Sequence, residues 1–436
     1  MKQDRFGNPH SPGVPYARGS IVTSTQDDLA KLSVAWHHIQ ARCGSDDPSA
    51  VFNLSGLERS MPPIQVAPEM LDDEIAPALY GERLTALALD HLGGDPDIHD
   101  ALILNRQTAA ILAATLVMAK PGDTVIGVSP TYSHPCVVRA AARAGAGFID
   151  TVGYAAFRDA IERQEQPPLV ALTRLAVSYE ILPQEEIFKI VELAKARGAR
   201  VLVDDAGGAR VGPAIFDQPK SLAFGVDVVS TGLDKYGTIG PRLGVLAGTR
   251  DIVAEIRACA FELGVEARPM LYPAVIQSLE QYDPQRVRDL VSTTKEVAEA
   301  LKKRLGNRVA ETPVTAQLLG EDILEMAMER AGVSEPAIVP YEATAALAMI
   351  LLRDHGILTV HFAGMPPGTG ALLIKFLPPE TLDRFGGPSK FAEAVDRALD
   401  TLSAIIADSA EIRNLLLHAK VAGPELDAES TPQRAH

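Results

Sequence analysis

Short aliphatic and β-branched runs alternate with amphipathic stretches from about residue 80 to 250, the pattern of a mostly parallel sheet covered by helices. The runs are ALILN (101–105), TVIGVS (124–129), GFIDTV (147–152), LVALT (169–173), RVLVDD (200–205), VDVVS (226–230) and LGVLAG (243–248), and they predict seven strands. Between them, PQEEIFKIVELAKARG (183–198) has Pro183 in its first turn, carboxylates early and cations late, which matches the dipole of a helix. Upstream, QDDLAKLSVAWHHIQARC (26–43) predicts an amphipathic helix whose apolar stripe is Leu29, Leu32 and Trp36, so the lone tryptophan is expected in a core. Residues 1 to about 25 are polar and rich in Gly and Pro, and read as a flexible arm.

After Pro273 the pattern changes. A long connecting helix is predicted over 283–306 and another helix over 339–356. Strand-like runs follow at 357–362 and 372–377, and a last helix at 391–409. The expected organisation is an N-terminal arm and helix (1–80), a large domain (81–285), a smaller C-terminal α/β domain (286–421) and a flexible tail (422–436). No internal repeat is visible.

Composition narrows the function classes. With 436 residues, 47% hydrophobic and 22% charged, the chain can bury two cores. A formal charge of −15 disfavours nucleic acid as a partner, since phosphate backbones are held mainly by Lys and Arg. Cys43, Cys136 and Cys259 form no CxxC pair, so no disulfide framework, zinc site or other metal site is expected. The first twenty residues lack the apolar segment of an export signal, and TAAILAATLVMAK (108–120) is too short to span a bilayer, so a cytoplasmic protein without membrane contact is expected.

The candidate chemistry lies at strand ends. RVLVDD ends in Asp204 and Asp205, and the run after VDVVS reaches Lys235, which places a carboxylate and an amine at the sheet edge where α/β proteins bind ligands. A carboxylate and a lysine together there point to pyridoxal 5′-phosphate: the lysine holds its aldehyde as a Schiff base and the aspartate faces the pyridine nitrogen. Asp204 is favoured for that role and Asp205 competes, because the residues that follow, AGGAR, read as the turn leaving the strand. Asn105, Gln107 and Thr108 open the helix after ALIL and suit a phosphate, or a simple N-cap. Tyr132 and His134 offer rings to stack on a pyridine, and Arg174, Arg242 and Arg268 are candidates for a substrate carboxylate.

The phrases NRQTAAILAATLVMAKPGDTVI, SHPCVVRAAARAGA, VLVDDAGGAR, DVVSTGLDKYGTIGPRLGVLAG and FELGVEARP resemble fold-type I pyridoxal phosphate enzymes. More narrowly they resemble the selenocysteine-synthase-like branch, which includes archaeal relatives of bacterial L-seryl-tRNA(Sec) selenium transferase. The resemblance implies an α/β fold with a mostly parallel seven-stranded sheet, Lys235 as the Schiff-base lysine, Asp204 at the pyridine nitrogen, Gln107 and Thr108 by the phosphate, and His134 as the stacking ring. It also implies a homodimer or higher homo-oligomer with sites at subunit interfaces. Three positions depart from related patterns. Gly207 stands where many aminotransferases carry a tyrosine, LLIKFL offers only Lys375 where many carry a carboxylate-binding arginine, and residues 1–60 hold six Lys or Arg against six Asp or Glu, unlike a basic tRNA-binding domain.

The expected function is a lyase or transferase acting at Cβ of a small amino acid substrate, through Cα deprotonation and an aminoacrylate. An aminotransferase, selenium transfer to seryl-tRNA and a non-catalytic scaffold of the same fold are the alternatives.

Overall fold

The computed structural model describes residues 2–44, 47–362 and 366–418. A two-residue strand, Phe52–Asn53 (β1), precedes the large sheet of His99–Leu104 (β2), Thr124–Ser129 (β3), Gly147–Val152 (β4), Leu169–Thr173 (β5), Arg200–Asp204 (β6), Val228–Gly232 (β7) and Gly244–Thr249 (β8). These are the seven expected strands, three at the expected bounds and four shifted at one or both ends by one or two residues. Their order is β2-β8-β7-β6-β5-β3-β4, with β8 antiparallel to both of its neighbours. The aliphatic runs are nearly continuous because helices cover both faces. Ile103, Ile126, Val170, Val203 and Val229 enter one core, while Leu102, Leu104, Val125, Leu202 and Val228 enter the other. From β3 the chain moves outward to the edge strand β4 and then returns past β3 to β5, so a crevice opens outside the C-terminal ends of these strands.

The helix Pro284–Leu305 forms where its pattern predicts and leads into a second, smaller sheet. There Val309–Glu311 (β9), Thr315–Leu318 (β10) and Leu372–Lys375 (β12) form an antiparallel sheet ordered β12-β10-β9. Ile357–Leu358 (β11) pairs in parallel with β1. The helix Pro340–His355 runs through the centre of this domain, with Ala343 to Leu352 buried throughout. The helix Ile75–Leu92 crosses the expected boundary at residue 80 and packs against the large domain. The tail expected over 422–436 lies outside the described residues.

Two N-terminal expectations fail. The arm is packed rather than flexible: Tyr16, Ile21 and Val22 are buried in the core of the small domain. Its anchor is Glu342, a buried carboxylate that accepts the backbone N–H of Ile21 at 2.7 Å and of Val22 at 2.9 Å. An aperiodic stretch carries no signal for a partner some 320 positions away. The helix Thr25–Cys43 forms as expected but is rotated from the predicted stripe: Leu32 packs against the core beside buried Val34 and Ala35, whereas Trp36 is 58% exposed and Leu29 51%, and Asp28 and Lys31 are buried. Asp28 bonds Lys31 at 3.1 Å and Arg18 at 2.9 Å, and the Tyr341 hydroxyl meets both Asp28 and Lys31. Mutually paired charges can occupy an interior that unpaired ones cannot.

Glu342→Ala therefore removes two charge-assisted hydrogen bonds and should cost about 3 kcal/mol of stability in a urea titration. In the same variant, trypsin should cut after Arg18 under conditions that leave the parent chain intact.

Candidate active site

Side chains at neighbouring strand positions face opposite ways, and the end of β6 uses this directly. Asp205 points into the protein, where Arg174 grips it through Nε at 3.0 Å and Nη2 at 2.6 Å and Ser221 adds a hydroxyl. Arg174 also bonds the Pro219 carbonyl at 2.9 Å and is fully buried outside the cleft. Arg268 pairs with Asp73 on the surface, its side chain 63% exposed. Neither arginine is placed to bind a substrate in the cleft, because each is committed to a carboxylate elsewhere.

Asp204 faces a cleft of about 190 Å³ whose lining includes Gln107, Thr108, His134, Lys235 and Arg242. Gln107 joins the two ends of the expected chemistry. Its Nε2 donates to Asp204 Oδ1 at 2.6 Å, and Lys235 Nζ donates to its Oε1 at 3.1 Å. Burial pushes the Asp204 carboxyl up to about 6, against the pull of the Lys235 charge. Burial likewise lowers Lys235 below the ordinary lysine value, against Asp234 and Asp204. His134 is pushed down to about 4 by burial and then by the Lys235 and Arg139 charges, so its ring is neutral.

The helix Gln107–Met118 begins with Arg106 at its N-cap in extended backbone, and no side chain caps it. Asn105 and Thr108 thus do not serve as caps. Thr108 lines the cleft, whereas Asn105 lies outside its lining with its backbone N–H bonded to Val265. A Cβ on Gly244 would come within 2.8 Å of the Arg106–Gln107 backbone, so only glycine lets β8 lie against this helix start. Arg59, Arg106 and Arg242 line the same region. Burial, then the charges of Arg59 and Arg106, hold Arg242 down at about 10. Uncapped amides beside three guanidiniums make a seat for an anion.

Of the two candidate rings, His134 lines the cleft and Tyr132 does not; the Tyr132 hydroxyl reaches the Gly368 carbonyl at 3.5 Å. Sequence reasoning missed Arg59, Arg106, Thr173 and Cys136. Arg59 Nε bonds Asp234 Oδ2 at 2.6 Å across 175 positions, a distance no local motif spans. Thr173 sits opposite Asp204 in the β5–β6 register, and its buried hydroxyl has no hydrogen-bond partner among the described residues. Cys136 Sγ lies 3.9 Å from Asp204 Oδ2. The ligand atoms of His134, Cys136 and Asp204 lie within 4.8 Å of one another. Burial and the Asp204 charge raise the Cys136 thiol well above its ordinary value, so it serves as a protonated donor to Asp204 rather than as a thiolate ligand. Gly207 is explained by its neighbour, since a Cβ there would collide with the Tyr236 ring.

No protein-family model matches the chain. It is 30% identical over 375 residues to a "UPF0425 pyridoxal phosphate-dependent protein" of Methanothermobacter thermautotrophicus, covering 84% of this chain and 92% of that one. It is 26% identical over 221 residues to a probable N-succinyldiaminopimelate aminotransferase of Mycobacterium tuberculosis, covering 47% of this chain and 54% of the other. Among solved structures, alanine–glyoxylate aminotransferase from Nostoc sp. superposes with a TM-score of 0.55 at 16% identity, over 80% of this chain and 94% of that one. The fold is thus the α/β fold of type I pyridoxal phosphate transferases. No helix among the described residues is long and apolar enough to cross a membrane.

Arg174→Met should leave the Asp205 side chain buried without its arginine partner. The expected loss is about 3–5 kcal/mol in equilibrium unfolding.

Proposed function

The chain belongs to the family of UPF0425 pyridoxal phosphate-dependent proteins, and on that footing we propose that it is a pyridoxal phosphate-dependent lyase or transferase acting at Cβ of an amino acid. The observation that carries this reading is the buried chain Asp204–Gln107–Lys235 beside the uncapped helix at Gln107. The residues present fit the cofactor. Lys235 would carry its aldehyde, Asp204 would face the pyridine nitrogen, and the unpartnered Thr173 hydroxyl is available to the ring hydroxyl. The neutral His134 ring suits stacking, and Gln107, Thr108, Arg106 and Arg242 suit the phosphate. In this reading Arg242 moves from the substrate to the phosphate, because it stands with Arg59 and Arg106.

When bound, pyridoxal phosphate supplies an electron sink for charge developing at the substrate Cα. Asp204 keeps that sink polarised by holding its negative charge against the ring nitrogen. Lys235 Nζ, depressed by burial, can rest neutral and take the Cα proton. Gln107 orients both groups through one amide. The resemblance to selenocysteine-synthase-like enzymes supports chemistry at Cβ, and so does Gly207, which leaves room for Tyr236 where a cofactor-contacting tyrosine would stand in many aminotransferases. Transamination is the second reading, favoured by the similarity to a probable aminotransferase. Assembly as a homodimer or larger homo-oligomer fits the apolar side chains left exposed on the large domain, among them Leu79, Phe261 and Met270.

The purified protein should show a long-wavelength absorbance band that borohydride fixes covalently, and Lys235→Ala should lose both. Asp204→Asn should bind the cofactor yet lose at least about 100-fold in turnover, since the loss falls on charge developing in the transition state. With L-serine, O-phospho-L-serine and L-cysteine, release of keto acid and ammonia supports β-elimination. Stable conversion of the cofactor to its amine form makes the protein an aminotransferase instead.

A further inference from the structure

Lys375 ends β12 in the small domain and reaches the cleft that holds Lys235. Its side chain is buried, and among the described residues no carboxylate forms an ion pair with it. Its Nζ meets the Tyr236 hydroxyl at 2.9 Å, which in turn lies 2.6 Å from the Tyr179 hydroxyl. The two phenol rings flank the amine, with centroids 5.0 and 5.4 Å from Nζ. Tyr179, Tyr236 and Phe376 surround it in left-handed backbone, at φ of 69°, 48° and 46°. Bulky residues hold that conformation where the surrounding packing enforces it, most often at functional sites.

The other cations of the cleft have anions assigned. Arg59 pairs with Asp234, Lys235 lies in the field of Asp204 and Asp234, and on the reading above Arg106 and Arg242 face the phosphate. Lys375 is left over. A buried charge without a counter-ion is costly, so the amine rests neutral and gains its proton when an anion arrives. The groups facing it agree. Lys235 and Arg59 disfavour a charge there, Asp234 opposes them more weakly, and the two phenols stay protonated because burial raises them. His361, on the segment Val360–Phe362, is held neutral by burial, and β10 presents only Thr315 opposite Lys375.

Resting on the proposed function, we infer that Lys375 anchors the α-carboxylate of the substrate and takes up one proton from solvent as it does so, which makes the substrate a free amino acid and not an aminoacyl ester such as a charged tRNA. No bond of the substrate breaks in this step. The carboxylate enters charged, and the neutral amine becomes the ammonium that pairs with it.

The test uses the cofactor-loaded protein, with the absorbance band titrated against L-serine and against L-serine methyl ester in the parent, Lys375→Met and Tyr236→Phe. Lys375→Met, nearly isosteric, should weaken L-serine binding about 10–100-fold and leave the ester within about twofold, the span expected for a charge-assisted hydrogen bond. In weakly buffered solution the parent should take up about one proton more per L-serine bound than Lys375→Met does. Affinity for L-serine should also rise more steeply with pH in that variant, because the parent must charge Lys375 to bind. Tyr236→Phe should keep the preference for L-serine over the ester. Equal loss for both compounds in Lys375→Met, or no difference in proton uptake, overturns the inference. A band that neither compound moves also overturns it while the cofactor assignment stands, whereas a missing band removes the proposed function itself.

Discussion

The ion pair between Arg174 and Asp205 fixes the end of β6 and, through it, the site. Strand alternation sends two adjacent carboxylates to opposite sides, and only the inward one receives an arginine. Asp204 is left with an amide at 2.6 Å and a thiol at 3.9 Å, so burial dominates and its carboxyl rises to about 6. The sign follows from linkage. A carboxyl raised from 3.8 to about 6 on folding opposes folding, with the cost absent below the lower value and complete above the upper one. A cation held against Asp204 removes that cost. On the proposed reading the bound pyridinium is that cation, so cofactor binding and stability reinforce each other near neutral pH.

The charges of the cleft are sorted along its length. Guanidiniums gather at the helix start, where burial and then the neighbouring guanidinium charges depress Arg106 and Arg242, a penalty that a bound polyanion would relieve. The amines Lys235 and Lys375 occupy the part beyond, each lowered by burial. Arginine stays charged in almost any protein environment, whereas a buried lysine can exist without its proton. Permanent charge therefore stands where a phosphate would rest, and switchable charge stands where bonds and protons would move.

The parts of this arrangement carried by local pattern were legible in the sequence. Seven aliphatic runs gave seven strands, and the strand-end positions of Asp204 and Lys235 followed from them. The choice between Asp204 and Asp205 required knowing which side of β6 Arg174 occupies, a contact across 31 positions. Arg59, Thr173 and Cys136 sit in ordinary local contexts and gain meaning only from the crevice they share. The rotated first helix has a different cause. Of its stripe, Leu32 reaches the core while Leu29 and Trp36 do not, because the Asp28–Lys31–Arg18–Tyr341 cluster takes the neighbouring interior positions, where those charges satisfy one another. Hydrophobic periodicity has no means of registering such pairing.

Strain at the domain junction shows why the site depends on both domains. Left-handed backbone at residues such as Tyr179, Tyr236 and Phe376 costs on the order of 1–3 kcal/mol at each. All three lie in the cluster that joins Leu175 and Val211 of the large domain to Val287, Leu290 and Leu373 from the connecting helix and the small domain. The Tyr236 and Phe376 rings stack at 3.8 Å across that boundary. Tyr236 is the residue after Lys235, so its backbone geometry sets where the Lys235 amine points. The packing that offsets the strain exists only when the domains are docked. Lys235 is therefore aimed by tertiary contact as well as by its own loop.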